Sequence, residues 1–272
     1  MQRSLLKGVA VSAHELLVRR SVTIPTPLGF RFVLSPGDPK SLKMASGFYE
    51  REDVALFRRL HLQDGWVLDI GANIGFFSLL FAKTWPDCKV CAIEPNAYAV
   101  GRLKENLSVN AGLSRRIQLE QCALGASADW VDLVAYPGAR GHAWGRIGIE
   151  PKPEMLKQRV LQRRLDDVVP KEHNVLLLKI DVEGYELDVL KGAMGIIERR
   201  QPIIVLECSL SFLIEKPGAY QELLSIARAN GYRIMVADRG KRLVPYEWPF
   251  ARVFNMWWLP QRHHTASLSA AD

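Results

Sequence analysis

The chain has 272 residues, 48% of them hydrophobic and 24% charged, which is ample for one sizeable core and excludes a disordered chain. Its net charge is +7, but the arginines fall in scattered pairs such as Arg115–Arg116 and Arg199–Arg200, with no long basic run. Solvated surface accounts for such pairs, and nucleic acid is not the expected partner. No apolar run reaches the length of a membrane span, so none is expected.

Residues 1–20, MQRSLLKGVAVSAHELLVRR, are basic and pass from apolar to small residues, as a signal peptide does, but Lys7 and Gly8 interrupt the apolar part. They read as an amphipathic opening helix that buries Leu5, Leu6, Val9, Leu16 and Leu17. Residues 21–35 alternate around a Pro-Leu-Gly turn, the pattern of a small hairpin. Residues 1–45 are thus expected to form an N-terminal helix-and-hairpin extension, 46–260 the main domain and 261–272 a disordered tail.

Residues 51–63 place Val54, Phe57 and Leu60 at helical spacing. The pattern then alternates: strand 66–70, helix 74–84, strand 89–93, helix 97–110, strand 117–122. An irregular insert over about 125–165 holds one strand-like run, Trp130–Ala135, and the glycine-rich stretch PGARGHAWGRIG. Strand 175–181 follows, then a helix over 185–199 with a stripe of Leu187, Leu190, Met194 and Ile197. Strand 203–208, helix 218–230 and strands 232–237 and 252–258 complete the chain. This order predicts an α/β fold: a mostly parallel seven-stranded sheet with helices on both faces. Apolar runs such as VLLLKI suit strands buried on both sides. Cys88 and Cys91 make a lone C-x-x-C without a second pair; Cys91, inside a strand-like run, is expected to be a buried thiol, and the usage of the four cysteines fits a reducing, cytoplasmic compartment.

In such sheets ligands bind beyond the carboxyl ends of the strands. There the sequence places Asp69, Gly71, Asn73 and Gly75 after the first strand, and Glu94 after the second. Cys122 and Ala123 follow the third strand, Asp181 and Glu183 the fourth, and Glu207 the fifth. Glycines let a backbone turn sharply and approach a ligand. The spacing D-x-G-x-N-x-G is neither the G-x-G-x-x-G of dinucleotide sites nor a lysine-bearing phosphate loop. It suits a cofactor with an adenosine and no phosphates, S-adenosyl-L-methionine, whose cationic groups favour a nearby carboxylate. Glu94, 23 residues after Gly71, stands where an acid accepts hydrogen bonds from ribose hydroxyls; the alternative is a solvated acid before Pro95. Asp181 reads either as part of the site or as an N-cap, and Glu183 and Glu186 equally as first-turn acids. Asp181 and Glu207 lack a third ligand for a divalent cation, so no metal is expected. Asn106 and Asn110 read as helix-end residues before Gly112.

Taken together, these motifs resemble the FkbM family of S-adenosylmethionine-dependent methyltransferases. The resemblance rests on FYE at 48–50, VLDIGANIGFFS at 67–78, IEPN and LKENLSVNAGL within 93–113, ALG at 123–125 and LLKIDVEGYELDVLKGA at 177–193. It implies a class I, Rossmann-like methyltransferase fold and methylation of a hydroxyl on a sugar, polyketide or other natural product. It also implies that Glu50, Asp69, Gly71, Asn73, Glu94 and Asp181 line the cofactor pocket. The insert and YEWPFARVFNMWWLP depart from informative family pattern, and acceptor choice would sit there.

Methyl transfer to a hydroxyl calls for a base. Asp181 is the first candidate, with Glu183, Glu207 and His142 behind it, although Asp181 has an alternative role holding the methionine end of the cofactor. Three rivals stand beside this reading: a nucleic-acid methyltransferase, which would use the +7 charge; a nicotinamide-dependent oxidoreductase, which the glycine spacing opposes; and a non-catalytic binding module on the same fold.

Overall fold

The structure, a computed structural model, describes residues 20–36, 38–137, 145–209, 218–237, 242–246 and 253–261. Residues 1–19 of the expected opening helix, the tail beyond Gln261, His142 and Trp144 lie outside the described residues.

The hairpin forms as β1 (Val22–Pro25) and β2 (Arg31–Leu34), followed by α1 (Pro39–Ala45) and α2 (Arg51–Phe57). Next come β3 (Trp66–Ile70), α3 (Phe76–Thr84), β4 (Lys89–Ile93), α4 (Ala97–Ser108), α5 (Ala111–Ser114) and β5 (Ile117–Glu120). The insert supplies β6 (Ala123–Leu124), β7 (Asp129–Ala135), β8 (Gly145–Ile147) and β9 (Leu156–Arg163). The chain continues through α6 (Leu165–Val168), β10 (Val175–Ile180), α7 (Glu186–Lys191), α8 (Met194–Arg200) and β11 (Ile203–Ser209). It closes with α9 (Ala219–Ala229), β12 (Tyr232–Ala237), β13 (Leu243–Pro245) and β14 (Val253–Pro260).

The main sheet has eight strands in the order β13-β12-β14-β11-β10-β3-β4-β5, not seven. The added strand is β13, three residues too short to carry a periodic signal. Strands β5, β4, β3, β10 and β11 are mutually parallel, while β14 runs antiparallel to both β11 and β12. The two-residue period of each strand divides the core between the faces. Val67, Val90, Leu177, Val205 and Trp257 meet α2, α3 and the hairpin residues Phe30, Phe32 and Leu34. Leu68, Cys91, Leu178, Ile204 and Trp258 meet α7, α8 and α9. All four cysteines are buried free thiols. No helix of the described residues is long and apolar enough to cross a membrane.

Three expectations change. The insert is a sheet of its own, ordered β6-β9-β7-β8, rather than one strand in an irregular loop. The helix expected over 185–199 is two, α7 and α8, broken at Gly192–Ala193. At that break Gly192 lies against the Gly125 carbonyl, where a Cβ would come within 2.1 Å of the oxygen. Asp166 accepts the free amides of the second helix from Gly195 (2.9 Å) and Ile196 (2.8 Å), which satisfies donors a continuous helix would have used internally. Third, Asn106 lies inside α4, and Asn110, which does stand at a helix end as the residue before α5, makes no side-chain cap bond there; both side chains reach the hairpin instead. Asn106 accepts from the Val33 amide and donates to the Ile74 carbonyl, both at 2.8 Å; Asn110 bonds both backbone groups of Arg31. They pair the outer edge of the hairpin and tie it to the turn that follows β3.

Candidate functional site

A cleft opens at the carboxyl ends of β3, β4 and β10, as expected for an open α/β sheet. Its floor is the turn after β3. Gly71 (φ 80°) crosses the end of β10 so closely that a Cβ would sit 1.8 Å from the Asp181 carbonyl oxygen. Asn73 also takes a left-handed backbone (φ 52°), which its side chain supports by accepting from the Ile74 amide at 2.8 Å.

Glu94 forms the wall beside this turn. It is 8% exposed and accepts the amides of Asn73 (2.8 Å) and Asn96 (2.9 Å), one on each carboxylate oxygen. A carboxylate oxygen can accept more than one hydrogen bond, and Glu94 lines the cleft. Burial pushes its pKa up to about 7 against those two amide bonds. Ile93, Cys122, Ala123 and Leu124 continue the wall, and Leu133 and Ile147 of the second sheet stand across from them.

Asp181 and Glu183 line the other end of the cleft, with Lys40 and Tyr185. Asp181 is not a helix cap, because α7 starts at Glu186 with Tyr185 at the cap position. The Lys179 ammonium, 3% exposed, lies 3.1 Å from the Asp181 carboxylate and 4.4 Å from the centre of the Phe77 ring. Burial disfavours the charge on Asp181, but Lys179 and a hydrogen bond from Glu207 outweigh it and hold its pKa below the ordinary value. The charge of Asp181, with burial, pushes Glu207 up to about 10. Glu207 is thus biased toward its protonated form, in which its O–H donates a hydrogen bond to the Asp181 carboxylate. Burial also raises Glu50, whose carboxylate completes a triangle with Asp181 and Glu207, ligand atoms within 4.8 Å of one another. In the first turn of the helix that follows Glu50, Asp53 accepts from Asn255 (2.9 Å) and the Trp257 indole (3.2 Å), which pins the start of α2 to β14.

Glu183 differs. Burial and the neighbouring Asp181 push it up to about 7, and Lys40 only partly offsets them. The Arg146 guanidinium of β8 donates to the Glu183 backbone carbonyl at 3.0 Å and holds the left-handed segment (φ 56°).

The remaining expected site residues stand behind the wall. Asp69 is 1% exposed; it accepts from the Ser78 hydroxyl at 2.5 Å, and its second oxygen has no hydrogen-bond partner among the described residues. Gly75 (φ 86°) starts α3, packed against Leu103. Glu50 and Glu207 sit beyond Asp181 rather than on the cleft surface. Two residues went unnoticed in the sequence. Lys179 carries a visible signal, a lone charge inside the apolar strand VLLLKI. Lys40 carries none, because nothing in the chain order ties the short α1 to the end of β10.

Residues 69–234 match the methyltransferase FkbM domain. The chain belongs to the FkbM methyltransferase family. Among relatives of this FkbM chain, methyltransferase sdnD of Sordaria araneosa is 31% identical over 157 residues, covering 47% of this chain and 60% of its own length. Methyltransferase 1 of Beauveria bassiana is 30% identical over 149 residues, covering 47% and 58%. The match thus spans about three fifths of the length of these two curated relatives. A crystal structure of methyltransferase FkbM from Methylobacillus flagellatus KT aligns with a TM-score of 0.48 and 18% identity, over 73% of this chain and 44% of that one.

Proposed function

We propose that the chain is an S-adenosylmethionine-dependent O-methyltransferase acting on a hydroxyl of a sugar, polyketide or other small natural product. The observation that carries the reading is that Glu94 and Glu183 line one cleft with the Gly71 turn between them. Family membership supports methyl transfer. The donor set fits the cofactor: a close-packed glycine turn without a phosphate loop, a carboxylate with spare acceptor positions for a ribose diol, and an apolar wall for adenine. The four buried free thiols favour a reducing, cytoplasmic setting.

In this reading Gly71 and Asn73 let the backbone approach the cofactor, and Glu94 accepts its ribose hydroxyls. Cys122 and Ala123 flank the base. Asp69, Gly75 and Glu50 support these groups from behind. Bound S-adenosylmethionine supplies an electrophilic methyl group. The chain's own residues orient the acceptor hydroxyl and take its proton. Asp181, paired with Lys179 and hydrogen-bonded by Glu207, is a weak base and serves to hold cationic charge. Glu207 already carries a proton. Glu183 reaches the cleft and titrates near neutrality, where a general base works best.

The test is incubation with methyl-labelled S-adenosylmethionine and fractionated cell extract, followed by identification of the labelled product. Label on the oxygen of a small molecule is expected. Label on nucleic acid, or none in any fraction, contradicts the reading.

A further inference from the structure

We infer that Lys40 binds the α-carboxylate of the cofactor, so that α1, ahead of the main domain, completes the cofactor site. The inference rests on the cofactor reading above and goes beyond it by assigning a residue and an orientation.

The amino-acid half of S-adenosylmethionine carries an ammonium and a carboxylate. Asp181 suits the ammonium, while the acids that line the cleft, Glu94, Asp181 and Glu183, offer the carboxylate no partner. Among the described residues lining the cleft, Lys40 is the one basic side chain. It stands at the Asp181 end, and its field acts on both Asp181 and Glu183. Lys179 is no substitute, being 3% exposed and committed to Asp181 at 3.1 Å. The adenosine half then lies toward Glu94 and Cys122, with the Gly71 turn beneath the junction.

Lys40 is held in place by what surrounds it. Asp38 accepts from the Ser41 amide at 3.0 Å, and the Ser41 hydroxyl donates to the Asp38 carbonyl at 2.7 Å. Both residues are buried, as are Met44 and Ala45 of the same helix. The Lys40 ammonium lies 5.6 Å from the centre of the Tyr49 ring, a further restraint on its long side chain. A surface lysine directed only at solvent needs no such anchoring.

The experiment is calorimetric titration of three ligands: S-adenosylhomocysteine, its decarboxylated counterpart and 5′-methylthioadenosine, which lacks the amino-acid half. The native chain should bind S-adenosylhomocysteine about tenfold or more tighter than the decarboxylated ligand, as a charge-assisted bond implies. Lys40→Met should bring that ratio close to one and leave methylthioadenosine unchanged, while Lys40→Arg should keep much of the preference. An unchanged ratio in Lys40→Met, or an equal loss for all three ligands, overturns the assignment. Failure of the native chain to bind any of the three overturns the cofactor reading itself, and the assignment with it.

Discussion

The Lys179 ammonium lies 3.1 Å from the Asp181 carboxylate and sets the acids of the cleft apart. It stabilises the anion of Asp181 and lowers its basicity. Glu183, two residues on, lacks that partner and is pushed up to about 7. Glu183→Gln should therefore keep cofactor affinity and cut the single-turnover rate by about 10²–10⁴. The native rate should rise with pH through about 7, and the variant should lose that rise. A variant that keeps both the rate and the pH limb returns the role to another group.

Lys179 and Glu207 should respond very differently to substitution. Lys179→Met leaves buried carboxylates without their cation and should cost about 3–5 kcal/mol of stability, as breaking a buried ion pair does. Glu207→Gln keeps a donor toward Asp181 and should cost about 1 kcal/mol or less. Urea unfolding of the two variants gives both values; similar losses contradict a protonated Glu207.

Glu94 accepts two backbone amides and is proposed to accept ribose hydroxyls, and two variants separate the observed role from the proposed one. Glu94→Ala strands the amides of Asn73 and Asn96, so stability should fall by about 1–3 kcal/mol for each amide left unpaired. Loss of the ribose bonds should also weaken S-adenosylhomocysteine binding about tenfold or more. Glu94→Gln keeps acceptor capacity on one side and should lose less of each. If affinity is native in Glu94→Ala, the ribose assignment is wrong.

The same raised acids predict how stability varies with pH. Glu94, Glu183 and Glu186 titrate at about 7 in the folded chain against 4.5 for the free side chain. Between these values the folded state binds more protons than the unfolded one, so stability falls as pH rises through that window. Asp181 acts oppositely: its lowered value contributes stability above about pH 4 that is lost on acidification. Thermal unfolding of the ligand-free chain should thus show a lower midpoint at pH 8 than at pH 5.5, and Glu183→Gln should reduce the difference. A midpoint that rises over that range contradicts these shifts.

The parallel sheet was legible because its strands are buried on both faces and read as continuous apolar runs, VLLLKI and IIVLE among them. The strand-end rule then led to Glu94, Asp181 and Glu183 on one cleft. Where tertiary contacts override local pattern, the sequence reading failed. The apolar stripe of 187–197 is real, yet Gly192 must approach Gly125 and Asp166 recruits the amides of a second helix. Asn106 sits inside α4 with no local sign that its partners are 73 and 32 residues away. The charge state of Asp181 depended on Lys179, which shares its side of the strand, and on Glu207 and Lys40, which only folding brings near.

The central claim is that this cleft holds S-adenosylmethionine. Calorimetric titration of the purified chain with S-adenosylhomocysteine and, separately, with NAD tests it most directly. Saturable binding of S-adenosylhomocysteine and none of NAD is the expected result. Tighter binding of NAD, or no heat with S-adenosylhomocysteine at any concentration reached, would contradict it.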